Sequence, residues 1–299
     1  MLGMYLVIES WLNSLATSRN RGSVFAIYMT VTLLAMGSGQ YLLVIYDPGS
    51  LSAFSFIALL FSLALVPIAL TKLQQPVPVP TTRMNLGRLY STSPLAVSGA
   101  LISGVVNGAF WGMGPIYALS VGFDAAGIAL FMSALIFGGA LLQWPLGHLS
   151  DNFDRRLVIF GVSLLAGFAA LTVFYTIDAH RIMGLVATFI FGGCAFSIYS
   201  LSMAHANDQN DAEHILETNR GVLLLSGIGS AIGPILAGLL MQGFNAHVLM
   251  ILFAGLMLLL AALAMMRRSI GVAITTDEQS DFVVMARTSP AIFELDPRN

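Results

Sequence analysis

The chain has 299 residues, 57% hydrophobic and only 9% charged, with a formal net charge of −2 and a mean hydropathy of +0.84. A soluble domain carries about 25% charged residues, so this composition excludes a water-facing surface all round. The small net charge gives no case for nucleic acid, and a single cysteine, Cys194, excludes a disulfide within the chain.

A short apolar segment at 1–16 contains Glu9; no basic stretch precedes it, so no cleavable signal peptide is expected. Apolar runs follow at 22–46, 51–71, 95–121, 126–148, 157–177, 182–204, 218–243 and 246–267. Each is long enough to cross a hydrocarbon core of about 30 Å as a helix. Alternating strand-length segments are lacking, which argues against an outer-membrane barrel. The expected fold class is therefore all-α, a polytopic membrane protein. The break at 72–94 holds Pro76, Pro78 and Pro80, which suit an extended linker. The break at 205–217 is the most polar internal stretch, and 268–299 is a polar tail containing Phe282-Val283-Val284-Met285.

If the spans alternate in direction, one face receives Arg19, Arg21, Lys72, Arg83, Arg88, Arg155, Arg156, Arg220, Arg267, Arg268, Arg287 and Arg298, and the other only Arg181. The excess of basic residues marks the cytoplasmic side. The linker, the loop around Asp151 and the C-terminus are thus expected in the cytoplasm of a bacterial inner membrane.

That loop, Gly147-His148-Leu149-Ser150-Asp151-Asn152-Phe153-Asp154-Arg155-Arg156, packs four charges between two apolar runs. A second pattern is an internal repeat. Asn20-Arg21-Gly22 opens one span and Asn219-Arg220-Gly221 opens another 199 residues later, with Gly39 and Gly238 at the same offset. Six spans separate the two openings, the spacing of two six-helix halves related by an axis along the membrane normal. On that spacing the counterpart of the charged loop falls ahead of residue 1. The expectation is a chain without the first three spans of such an architecture; the alternative is a protein of nine spans.

The Gly147, Asp151, Arg155, Arg156 pattern resembles the signature loop of the major facilitator superfamily, in its second-half position between spans eight and nine. Arg21-Gly22 and Arg220-Gly221 resemble the entries to spans five and eleven, and Gly227-Ile228-Gly229, Gly233-Pro234 and Gly238 the Gly-rich eleventh span. Residues 1–46, with Glu9-Ser10-Trp11 ahead of Asn20-Arg21-Gly22, resemble bacterial members. Gly37 and Gly39 are followed by Gln40 without a Gly-Pro pair, a departure from the drug–proton antiporters; sugar-porter and nitrate-porter motifs are not evident either.

The resemblance implies a two-bundle helical architecture: a partial first bundle at 1–71, a cytoplasmic linker at 72–94, a complete second bundle at 95–267 and a cytoplasmic tail at 268–299. It implies alternating-access transport of a small solute, driven by protons in one reading, with no covalent chemistry, no cofactor and no metal. Gly147, Asp151, Arg155, Arg156 and Arg21 would form the conformational switch, Asp151 facing Arg21 and the start of the 22–46 span. Arg155 and Arg156 would fix the loop or bind lipid phosphate.

Glu9 has two readings. An acid inside an apolar span usually lines a cavity and suits proton coupling; alternatively it pairs with Arg19 and Arg21 near the cytoplasmic face. Gln40, Asn107, Trp111, Gln143, Trp144 and Tyr199 are candidate lining of a solute cavity, and equally candidates for helix–helix hydrogen bonds. Gly114-Pro115 and Gly233-Pro234 suit helix bends. His205, Asp208, Asp211 and His214 match no metal-ligand spacing and read as a solvated cytoplasmic loop. No catalytic motif is visible, so an enzyme is not expected. The rival reading is a non-transporting scaffold or sensor, or an inactive transporter fragment.

Overall fold

A computed structural model of the chain describes residues 21–46, 50–70, 85–210 and 214–270. The segment at 1–16 with Glu9, the prolines at 76, 78 and 80, and the tail beyond 270 lie outside the described residues. The described residues form helices α1 (Arg21–Gly39), α2 (Leu42–Ile45), α3 (Leu51–Leu70), α4 (Leu86–Thr92) and α5 (Pro94–Ser120). The helices α6 (Ala125–Asn152), α7 (Arg155–Thr176), α8 (Arg181–Asp208), α9 (Ile215–Gly243) and α10 (Val248–Ile270) follow. In six of them, α5 to α10, the stretch is long and apolar enough to cross a membrane.

Local sequence sets the ends. Asp124 Oδ1 accepts from Gly127 N–H at 2.9 Å and caps α6, and Asp154 Oδ1 does the same for Arg156 N–H, 2.9 Å, at the start of α7. Pro94 occupies the first turn of α5, where its missing N–H costs nothing. Gly122 closes α5 at φ +80°, a left-handed conformation that favours glycine. Arg181 donates from Nη2 to the Gly122 carbonyl at 3.0 Å and lies over the Phe123 ring, 5.0 Å from its centroid.

Helices α5 to α10 share one core, built around Phe110, Phe131, Phe191 and Phe253. In lipid, helices gain little by hiding apolar surface from water, so close approach of backbones must hold them. Glycines provide it. A Cβ at Gly104 or Gly108 would overlap the backbone of Ser226 or Ser230, and one at Gly229 or Gly233 the backbone of Leu101 or Val105, so α5 and α9 touch main chain to main chain. Between α6 and α8, Gly138 meets the Phe189 carbonyl and Gly192 the Leu135 carbonyl in the same way. The third close pair is α7 with α10. Exchanging α5–α7 for α8–α10 maps the α5–α9 pair onto α8–α6 and the α7–α10 pair onto itself. This is the pairing of an inverted three-helix repeat.

Outside this six-helix unit, α1 and α2 lie against α6, and Tyr28 of α1 packs on a small cluster of Leu89, Ala96, Tyr199, Met203 and Val222. The expected single span at 22–46 is broken at Gln40 and Tyr41, where α1 gives way to α2. Helix α3 is apolar and exposed around its circumference, the surface a helix presents to hydrocarbon or to neighbouring helices. The helix α4 falls within the expected linker and is capped by Asn85, whose Oδ1 accepts from Arg88 N–H at 3.0 Å.

Candidate functional site

The charged loop expected at 147–156 is mostly helix. α6 continues to Asn152, and only Phe153 and Asp154 separate it from α7. Gly147 is buried inside α6. Asp151 is therefore placed by helix geometry, one turn before Arg155.

Arg155 opens α7 with its side chain only 1% exposed. A buried guanidinium requires counter-charge, and two acids supply it. Its Nε lies 2.6 Å from Asp208 Oδ2, whose side chain is 2% exposed, and its Nη2 lies 3.6 Å from Asp151 Oδ1. One cation thus ties the ends of α6, α7 and α8. Arg156, also buried, donates from Nη1 to the Arg267 carbonyl at 3.4 Å, near the C-terminal end of α10, where helix carbonyls lack internal donors. Arg268 reaches back to Asp154 at 3.8 Å. Beside this cluster, buried His205 has Nε2 3.3 Å from Gln209 Nε2, and Gln209 Oε1 accepts from Ser93 Oγ at 2.7 Å. This last bond carries the network to the start of α5.

One expectation is corrected here. His205 and Asp208 do not belong to a solvated loop: α8 runs one turn further than its apolar stretch, and both side chains are enclosed by the bundle. Asp208 is a candidate site residue that the sequence alone placed in a solvated loop. Its signal was available, since an acid closing a long apolar run is a natural counter-ion for a buried arginine. Arg21 opens α1, but its side chain, like Glu9, lies outside the described residues.

The candidate cavity residues separate into groups. Asn107 and Trp111 line an open cleft of about 520 Å³ between α5 and α9, together with Gly108, Gly112, Ser230 and Pro234. The Asn107 amide donates to Ser103 O at 2.9 Å, leaving one amide hydrogen and the side-chain oxygen beyond that bond. Trp111 packs edge-on to Phe110 at 5.6 Å. Gln143, Trp144 and Tyr199 are not among the residues lining this cleft. Gln143 Nε2 donates to Ser200 Oγ at 3.1 Å and is buried between α6 and α8. Trp144 is 73% exposed and stacks on His148. Tyr199 is fully buried in the small cluster that also holds Leu89 and Val222. Gln40, just past the end of α1, donates from Nε2 back to Met36 O at 3.3 Å. For Gln143 and Gln40 the physical reason is the same: an amide within a helical segment can be satisfied by the protein itself and need not face a solute. Among the described residues, no group of three or more His, Cys, Asp or Glu side chains could hold a metal ion.

The family model described as Major Facilitator Superfamily matches residues 2–215 and, in a second match, 96–284. The chain belongs to the Major Facilitator Superfamily. Among the similar proteins of this superfamily is the MFS-type transporter YcaD of Escherichia fergusonii, 30% identical over 256 residues, covering 84% of this chain and 65% of that protein. YcaD of Shigella flexneri is 31% identical over the same length, with the same coverage. This superfamily member therefore spans about two thirds of the length of the curated relatives it matches. A crystal structure of the Escherichia coli fucose:proton symporter FucP superposes with a TM-score of 0.52 at 18% identity, over 73% of this chain and 54% of that one. That likeness establishes the fold.

Proposed function

We propose that this chain works in secondary transport, moving a small solute across the bacterial inner membrane by alternating access, with the Asp151–Arg155–Asp208 end in the cytoplasm. The supporting observation is the buried ionic cluster. Charges this well enclosed cost desolvation energy, and a hydrophobic core would serve stability as well. Their placement at the junction of three helix ends suits a switch that fixes how those ends sit relative to the first bundle. Asp151 is 28% exposed, so it retains a face for a second partner. On this reading that partner is the start of α1 at Arg21, met when the cytoplasmic side is closed, where the helix dipole favours an acid. Residues 1–71 then belong to the first bundle, 72–94 to the linker, 95–267 to the second bundle and 268–299 to the tail. Asn107 and Trp111 contact the solute, and Glu9 carries the coupled proton.

The test is solute uptake into vesicles containing the protein, under an imposed proton gradient, with a panel of labelled small solutes. Gradient-dependent accumulation that falls at least tenfold in Asp151→Asn, and that loses its gradient dependence in Glu9→Gln, is expected. A correctly folded protein that moves no solute of the panel favours the scaffold or sensor reading.

A further inference from the structure

The break between α1 and α2 has a consequence for how the two bundles meet. In an unbroken helix the Gly37 carbonyl would accept from Tyr41 N–H, four residues on. Here Tyr41 N–H donates instead to Ser38 O, 3.0 Å away and only three residues back. The Gly37 carbonyl accepts from across the seam: Ser133 Oγ of α6 donates to it at 2.9 Å. Ser133 is 1% exposed, and Gly37 is buried although its neighbours on α1 are half-buried or exposed. Gly37 leaves room for the neighbouring ring: a Cβ there would lie 2.6 Å from Phe137 Cε1 and would displace it. The ring of Phe137, one turn along α6 from Ser133, covers the bond.

We propose that Ser133, Gly37 and Phe137 form a latch between the two bundles, at the end of the molecule opposite the Asp151–Arg155–Asp208 cluster. This inference rests on the alternating-access reading and adds the residues that hold the opposite side shut. Ser133 lies about 12 Å along α6 from its start, inside the hydrocarbon depth. There a carbonyl deprived of its donor is costly unless water or another donor replaces it. Separation of α1 from α6 therefore costs a full unmade hydrogen bond in a dry seam, and little once water follows the opening. The latch makes release conditional on hydration from that side. A gate with this property stays closed while the solute path is open at the other end.

The chain suits a direct test, because its one cysteine, Cys194, is buried. Ala140 follows Ser133 and Phe137 on the same face of α6 and is half-buried. The full protein carrying Ala140→Cys is reconstituted in vesicles, and its labelling by a water-soluble thiol reagent applied from the Gly37 side is timed without solute. The parent with Cys194 alone sets the background. Ser133→Ala is expected to raise the labelling rate about three- to tenfold, the scale of one interhelical hydrogen bond. Ser133→Thr, which keeps the hydroxyl, should restore the slow rate. Equal rates in Ala140→Cys with and without Ser133→Ala overturn the proposal, as does a Thr variant as fast as the Ala one. Should Ser133→Ala fail to fold, Phe137→Ala uncovers the same bond, and unchanged labelling there overturns the proposal equally. Uptake measured on the same vesicles separates the two ideas. Transport with unaltered labelling refutes the latch alone, and altered labelling without transport refutes the transport reading alone.

Discussion

Replacing Asp208 by alanine removes the closer of the two acids that neutralise Arg155. At an effective dielectric constant of about 20, charges 2.6 Å apart attract by roughly 6 kcal/mol and charges 3.6 Å apart by roughly 5 kcal/mol, before desolvation is charged against either. The Asp151 contribution is further reduced, since that carboxylate is 28% exposed and screened by solvent. Asp151 therefore cannot replace Asp208, and Arg155 is left buried with an incomplete partner. Breaking such a pair on one side costs about 3–5 kcal/mol. The expected loss for Asp208→Ala is at the low end, about 3 kcal/mol, because Asp151 remains. The assay is thermal unfolding in detergent followed by a thiol-reactive fluorophore, since Cys194 is 0% exposed and reacts only when the bundle opens. A midpoint lower by roughly 5 °C is expected at this chain length. The double variant Arg155→Met with Asp208→Leu should recover most of that loss, because two apolar side chains of similar volume leave no stranded charge. On the proposed switch role, transport should not recover with it. A single variant within about 0.5 kcal/mol of the parent, or a double variant no more stable than the single, would refute the reasoning.

Gly233→Val should destabilise strongly, by about 2–3 kcal/mol, because its side chain overlaps the Val105 carbonyl on the facing helix. Gly255→Ala, where the added Cβ meets no atom within 4 Å, should be neutral or stabilising by up to about 1 kcal/mol, and the two unfolding midpoints check the contrast. Gln143→Leu breaks the bond to Ser200 and should cost only about 0.6–1 kcal/mol, the worth of an average interhelical hydrogen bond, read in the same assay. Glu217 Oε1 accepts from Asn85 N–H at 2.8 Å and holds the start of α4 against α9. Glu217→Ala should leave the unfolding midpoint within about 1 kcal/mol of the parent while speeding proteolysis ahead of Leu86 several-fold.

Hydropathy made the membrane class and the cores of the six spans at 94–270 legible, because the energetic demand of hydrocarbon acts on every residue and leaves a record in composition alone. The ends of those spans were less legible. α6 and α8 each run about one turn beyond their apolar stretches, since Asp151, His205 and Asp208 find partners in the folded bundle that a hydropathy reading cannot count. The loop motif pointed to Arg155 and Asp151, yet the partner that neutralises Arg155 most closely lies at the end of α8, 53 positions away from it.

What the sequence determined by itself was a bundle of apolar helices with a charged turn that hydrocarbon cannot accommodate. What only the tertiary structure decided was which polar groups that bundle satisfies internally. Gln143 was spent inside it on Ser200, Asn107 and Trp111 were left along a cleft, and the Gly37 carbonyl was handed to Ser133. The physical reason is that a hydrogen bond or ion pair in a dry interior is a relation between two groups in space, and the cost of lacking it falls on the folded molecule. A residue type states the need for a partner, and packing alone chooses the one that meets it.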